Sequence, residues 1–118
     1  MESSSEANKT IEERQILEQH LGEFLAQKQT IQIELQEILN ALEELEKTND
    51  EVYKILGNVM IKSDKSVLSK ELEERKKLMQ LRISSIEKQE KIVEEKIFRL
   101  KDKIRDLIEK DKKKREIS

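Results

Sequence analysis

The carboxylates and imidazoles that most often move protons in catalysis number 26 and one in this 118-residue chain, the one histidine being His20. General acid–base work needs a carboxylate or imidazole whose pKa is displaced by burial or by a neighbouring charge. The acids here instead recur with a lysine four positions on, as Glu87 does with Lys91 and Glu109 with Lys113. At helical spacing such pairs are solvated and contribute roughly 0.3 kcal/mol each. His20 stands alone on a charged stretch, so neither a histidine metal cluster nor a catalytic pair is available, and a solvated ring is expected. There is no cysteine to act as nucleophile, metal ligand or disulfide partner. The only glycines, Gly22 and Gly57, build no phosphate-binding loop. The sequence therefore predicts a non-enzyme with no cofactor or metal, and no ATP hydrolysis.

The chemistry that remains is association. In DEVYKILGNVMIKSDK, Asp50 to Lys65, the charges thin out and Val, Tyr, Ile and Met crowd together, with the chain's only tyrosine among them. Val52 to Leu56 and Val59 to Lys62 are rich in β-branched or aromatic residues, as strands prefer. Between them Gly57-Asn58 is a recognised two-residue turn with glycine at its first central position. A β-hairpin is predicted; the alternative is a plain loop between helices. An isolated two-stranded hairpin is marginal in water and its edges invite pairing. Several copies pairing with one another would resolve both problems, which makes the patch an assembly device.

Two helical arms must hold that patch. In the first, Leu17, Phe24, Ile31, Ile38 and Leu45 recur every seven residues, with Leu21, Leu35 and Leu42 on a companion track interrupted by Lys28. In the second, Leu72, Met79, Ile86, Val93, Leu100 and Leu107 recur likewise, with Ile83, Ile97 and Ile104 beside them and Lys76 and Glu90 as polar interruptions. These are heptad seams. A short connector makes the arms antiparallel, so Leu42 and Leu45 are expected near Leu72, and Leu17 and Leu21 near Val93 to Leu100. TIEE, Thr10 to Glu13, matches a capping box at the start of the first helix. Asp64 or Ser66 would cap the second. The predicted layout is a flexible N-terminus over 1–9, a first coiled-coil helix over 10–48, a β-hairpin over 50–64, a second coiled-coil helix over 65–112 and a basic tail over 113–118. The fold class is mainly α, a long antiparallel coiled-coil hairpin with one β-hairpin at its bend.

Composition agrees with this layout. Charged residues make up 42% of the chain, hydrophobic residues 35% and aromatics 3%, with no proline. That mixture, with periodic Leu and Ile, points to coiled coil rather than to a compact domain or to disorder. A two-helix seam buries one stripe per helix, so a chain this thin is expected to depend on partner chains. The formal net charge of −2, from 24 basic and 26 acidic residues, lacks the basic excess of a nucleic-acid binder. No apolar run approaches a membrane span, and MESSSEANKT lacks the pattern of a secretory signal. A cytoplasmic protein that binds neither nucleic acid nor membrane is expected.

The quoted hairpin, the preceding QKQTIQIELQEILNALEELEK and the following ELEERKKLMQLRISSIEKQEKIVEEKI together resemble the β-type subunits of prefoldin, a co-chaperone family. The similarity covers about residues 17–107, most of the chain. The most specific part is the hairpin wording, Val-Tyr-Lys, Leu-Gly-Asn-Val and Ile-Lys, at the correct place between two arms. The resemblance implies a hexamer of two α-type and four β-type subunits, whose hairpins close into β-barrels. It further implies coiled-coil tips that hold non-native polypeptides without ATP and pass them to a group II chaperonin. One hairpin rather than two is a β-type feature. The Ser/Glu-rich start and the KDKKKREIS tail depart from the family pattern, at the ends where clients would bind.

On this reading Val52, Tyr53, Ile55, Leu56, Gly57, Val59, Met60 and Ile61 carry oligomerisation. Ile11, Ile16, Leu17, Phe98, Leu100, Ile104, Leu107 and Ile108 are the candidate client-binding residues. For Leu17, Leu100 and Leu107 ordinary seam packing competes with that role; Phe98 and Ile108 lie off the main track and fit the client role better. Phe24, Ile31, Leu35, Ile38, Leu42, Leu45, Leu72, Met79, Ile86 and Val93 form the coiled-coil core. Gly22 is either a tolerated surface residue or a means of loosening its part of the helix. The basic run Lys110 to Arg115 complements a helix C-terminus; its other readings are a nuclear address, an acidic-partner patch or a steering element toward the chaperonin. The alternative function for the whole chain is a structural coiled-coil adaptor without chaperone activity, in which Gly57-Asn58 is only a loop.

Overall fold

The computed structural model describes residues 2–117. Four elements follow in order: helix α1, Glu2–Lys47; strands β1, Val52–Leu56, and β2, Val59–Ser63; and helix α2, Lys65–Ile117. Lys28–Ser85 form one compact unit, and the parts of α1 up to Gln27 and of α2 from Ile86 form another.

In the hairpin unit Ile38, Leu45 and Met79 are buried, Met79 with 1% of its surface exposed. Ile31, Leu35, Leu42, Leu68, Leu72, Lys76 and Ile83 are half-buried around them. Steps of three and four residues between these positions keep them on one stripe of each helix, as a heptad seam requires. Arg75 of α2 forms an ion pair with Glu34 of α1 across that seam. Lys76, half-buried at a seam position, has its ammonium 3.9 Å from the Glu73 carboxylate.

Both helix ends at the connector are closed by side chains. Lys65 Nζ donates to the Thr48 carbonyl oxygen at 2.9 Å, just past the end of α1. The Asp64 carboxylate accepts from the Ser66 backbone N–H at 3.0 Å and from the Ser66 hydroxyl at 3.1 Å. Asp64 is thus the N-cap of α2, satisfying a donor that the first helical turn leaves open. Of the two residues able to cap, the aspartate does so and the serine assists it.

The strands pair antiparallel with Val52 opposite Ser63, Tyr53 opposite Lys62, Lys54 opposite Ile61, Ile55 opposite Met60 and Leu56 opposite Val59. Gly57 has φ of 60°, and no non-glycine residue among those described has positive φ. Positive φ at the first turn position but not at Asn58 is the type II′ pattern, whose twist matches that of the flanking strands. The hairpin is formed, not a plain loop.

In the terminal unit Thr10, Ile86, Val93 and Ile97 are buried. Ala7, Arg14, Leu17, Leu21 and Phe24 on α1, and Leu100, Ile104 and Leu107 on α2, are half-buried. Lys103 of α2 reaches Glu6 of α1 at 3.8 Å. The expected start of the first helix needs correction. Residues 2–9, placed before the helix by the sequence reading, are helical, so Thr10 is interior and forms no capping box. Its hydroxyl donates to the Glu6 carbonyl oxygen at 2.8 Å, and the side chain is 2% exposed. The reason is the seam: Ala7, Thr10, Arg14 and Leu17 continue the step of three and four, so Thr10 occupies a core position and its hydroxyl bonds one turn back. At the other end α2 continues through the basic run to Ile117, and Arg115 pairs with Asp111 at 3.3 Å.

Candidate functional site

Alternation along the strands gives the hairpin two faces. Tyr53, Ile55, Met60 and Lys62 share one; Val52, Lys54, Leu56, Val59, Ile61 and Ser63 share the other, as the cross-strand register requires. Toward its base the second face meets α2: Val52 and Lys54 are half-buried, and Lys54 Nζ lies 3.0 Å from Glu71. Toward the turn both faces are apolar and open. Tyr53, Ile55, Leu56, Val59, Met60 and Ile61 are all exposed, from 46% at Tyr53 and Ile61 to 68% at Ile55. A sheet with one solvated face alternates apolar with polar residues. This one does not, so in isolation it leaves a contiguous apolar surface wet. Of the eight residues expected to mediate assembly, all lie in the hairpin, but Val52 is half-buried at its base and turned toward the helices.

The polar residues of the hairpin are spent on holding it. Glu51 accepts from the Tyr53 hydroxyl at 2.8 Å and from Lys62 Nζ at 2.9 Å. Lys62 first, and then the tyrosine hydroxyl, hold the Glu51 carboxyl below the usual carboxylate range. Glu51 in turn pushes the Tyr53 phenol up. Because Tyr53 and Lys62 face each other across the strands, one carboxylate ties both to the start of the hairpin. The sequence reading missed Glu51, since only the register reveals that its two partners are neighbours.

The helices present a second set of open apolar residues. Ile11, Ile16, Phe98 and Ile108 are exposed, whereas Leu17, Leu100, Ile104 and Leu107 are half-buried in the seam. The eight candidate client-binding residues thus divide into four that point outward and four that pack. Phe98 borders an open groove with Leu21, Glu18, Glu94, Ile97 and Lys101, which puts Leu21 beside the Val93 to Leu100 stretch as antiparallel arms require. In the hairpin unit Leu45 and Leu72 line one groove together. The ten expected core residues all lie on the seam, Ile38, Leu45, Met79, Ile86 and Val93 buried and Phe24, Ile31, Leu35, Leu42 and Leu72 half-buried. Ile97, left out of that core, is buried. Leu25, Ile33, Leu39, Val67, Leu78, Leu81 and Ile92 are exposed apolar residues with no role assigned from sequence; their off-seam spacing was the available signal. Among the described residues no group of three or more His, Cys, Asp or Glu converges as a metal site would, and no helix is long and apolar enough to cross a membrane.

Residues 8–111 match the family model described as prefoldin subunit. The chain belongs to the prefoldin family. Within prefoldin its similarities lie with the β-type subunits. It is 42% identical over 98 residues to prefoldin subunit beta of Saccharolobus islandicus (strain L.S.2.15 / Lassen #1), covering 81% of this chain and 78% of that one. It is 38% identical over 89 residues to prefoldin subunit beta of Thermococcus onnurineus (strain NA1), covering 74% and 77%. The crystal structure of the prefoldin beta subunit from Thermococcus strain KS-1 superposes with a TM-score of 0.80 at 30% identity, over 86% of this chain and 90% of that one. Two long helices joined through one β-hairpin are thus the prefoldin β-type architecture.

Proposed function

We propose that this prefoldin chain is the β-type subunit of an ATP-independent holdase. It assembles through its hairpin with other prefoldin subunits, four copies with two of an α-type partner. It captures non-native polypeptides on outward apolar residues of the terminal unit, Ile11, Ile16, Phe98 and Ile108, and hands them to a group II chaperonin in the cytoplasm. The observation that carries this reading is the hairpin, a two-stranded sheet apolar on both faces and open at both edges. Such a sheet gains stability by pairing and by covering its faces, and the polar residues around it are already committed to fixing its position. Client capture draws support from the outward apolar side chains, which suit weak contacts that add by multivalency.

The test is the native mass of this chain mixed with an α-type prefoldin subunit, followed by suppression of client aggregation without nucleotide. The expected product is a hexamer that keeps a denatured client soluble. Val59→Asp and Ile61→Asp, at exposed positions, should abolish the hexamer while leaving the helices folded. A simple dimer that is indifferent to both substitutions would instead identify a coiled-coil adaptor.

A further inference from the structure

We propose that Met60 is an oxidation site through which peroxide disables the unassembled subunit; this rests on the hairpin-assembly reading above. The two methionines with described side chains occupy opposite extremes. Met79 is 1% exposed in the seam, and Met60 is 65% exposed on the hairpin. Oxidation of methionine follows access to the sulfur, so the fold directs peroxide to Met60 rather than to Met79.

The chemistry is self-contained. A lone pair of the Met60 thioether attacks one oxygen of hydrogen peroxide and the O–O bond breaks. The sulfur is oxidised to the sulfoxide and the peroxide is reduced to water. The product replaces a flexible apolar side chain with a polar, chiral one. Its surroundings determine the consequence. Met60 lies opposite Ile55, between Val59 and Ile61 in sequence. The nearest cation on its face, Lys62, is engaged by Glu51 at 2.9 Å. In the free chain water solvates the new S=O group. Where assembly covers this face with the apolar strands of other copies, the S=O group loses its water, and burying an unpaired polar group weakens association roughly tenfold to a hundredfold per copy. Assembly, conversely, covers Met60 and protects it. Peroxide therefore acts on surplus subunits and spares finished complexes, and methionine sulfoxide reduction can restore the subunit.

The experiment treats the purified full-length chain with hydrogen peroxide, locates the added oxygen by peptide mass spectrometry, and then adds the α-type subunit and measures the hexamer by native mass. Met60→Leu, which keeps apolar volume but cannot be oxidised, receives the same treatment. The expected result is oxygen at Met60 with Met79 unmodified, loss of hexamer from the treated wild type, and the same hexamer yield from Met60→Leu with and without peroxide. Met60→Gln without peroxide should reproduce the loss. Normal hexamer from wild type oxidised at Met60 overturns the proposal but leaves the assembly reading intact, as does equal loss in treated Met60→Leu. Failure of untreated wild type to form any hexamer overturns the assembly reading, and the proposal with it.

Discussion

Ile97 and Phe98 are consecutive residues with opposite environments, 7% and 66% exposed, and replacing each in turn separates folding from capture. Fully burying a phenylalanine side chain is worth about 1.5–3 kcal/mol. With about one third of that already realised in the fold, Phe98→Ser should cost only about 0.5–1 kcal/mol. The unrealised two thirds, about 1–2 kcal/mol, is available to a client segment and corresponds to roughly 5- to 30-fold in affinity per contact. Where several subunits grip one client, the losses compound. Ile97→Ala removes a buried side chain instead and should cost about 2–5 kcal/mol of stability. The assays are thermal unfolding followed by circular dichroism, and aggregation of a chemically denatured client with the assembled complex and no nucleotide. Phe98→Ser should unfold close to wild type yet lose much of its protective effect. If it unfolds as readily as Ile97→Ala, Phe98 is core. If protection is unchanged, the outward aromatic does not hold clients and the assignment of that face is wrong.

Three further outcomes are expected. A Cβ added at Gly22 meets no atom within 4 Å, so Gly22→Ala should stabilise the helix by up to about 1 kcal/mol and slow amide exchange around it; unchanged exchange would remove the idea that this glycine loosens α1. At Gly57, with φ of 60°, a β-branched side chain is strained by about 1–2 kcal/mol, so Gly57→Val should impair hexamer formation and Gly57→Asn should be tolerated; equal assembly by both would contradict the type II′ turn. Acid should loosen the hairpin: the Glu51 carboxyl is lowered by Lys62 and Tyr53, so its contribution is present above the carboxyl's unfolded pKa and is lost as pH falls through the lowered value. The raised Tyr53 phenol contributes fully below its unfolded pKa and loses that contribution as pH rises through the raised value. NMR titration of Glu51 in wild type and Lys62→Met checks the acid side, and identical curves would dismiss the tie.

The parts of this fold that were legible in the sequence are those written as a period or as a fixed short motif. The seven-residue recurrence of Leu72, Met79, Ile86 and Val93 placed them on one stripe because no other helical register can keep apolar residues adjacent over that length. Gly57-Asn58 between β-branched runs announced its own turn because only glycine accepts positive φ there without cost. Thr10 misled because a capping box is a local pattern, and a buried seam position, set by Ala7, Arg14 and Leu17 together, outweighs it. Glu51 was invisible because its partners are separated in sequence and meet only through strand register. The outward apolar residues, such as Ile33 and Leu81, carry no period of their own. Sequence can place them off the seam, but what they contact is a property of the assembly.

The seam itself explains why so much apolar surface is left over. Among the described residues each unit buries few side chains: Ile38, Leu45 and Met79 in one; Thr10, Ile86, Val93 and Ile97 in the other. Half-buried Arg14, Lys28, Lys76 and Glu90 take further seam positions. Polar groups at such positions lower stability but penalise slipped registers and additional helices, which would bury them without partners. A seam built this way favours one antiparallel pairing over slipped ones. The apolar surface able to associate is then confined to the hairpin and to outward residues such as Phe98. With a weak core and a directed surplus, the chain would gain its remaining stability, on the proposed assembly, through its hairpin. Polar substitutions there should therefore lower assembly and thermal stability together, whereas polar substitutions at outward positions such as Phe98 should lower client capture at little cost to the fold.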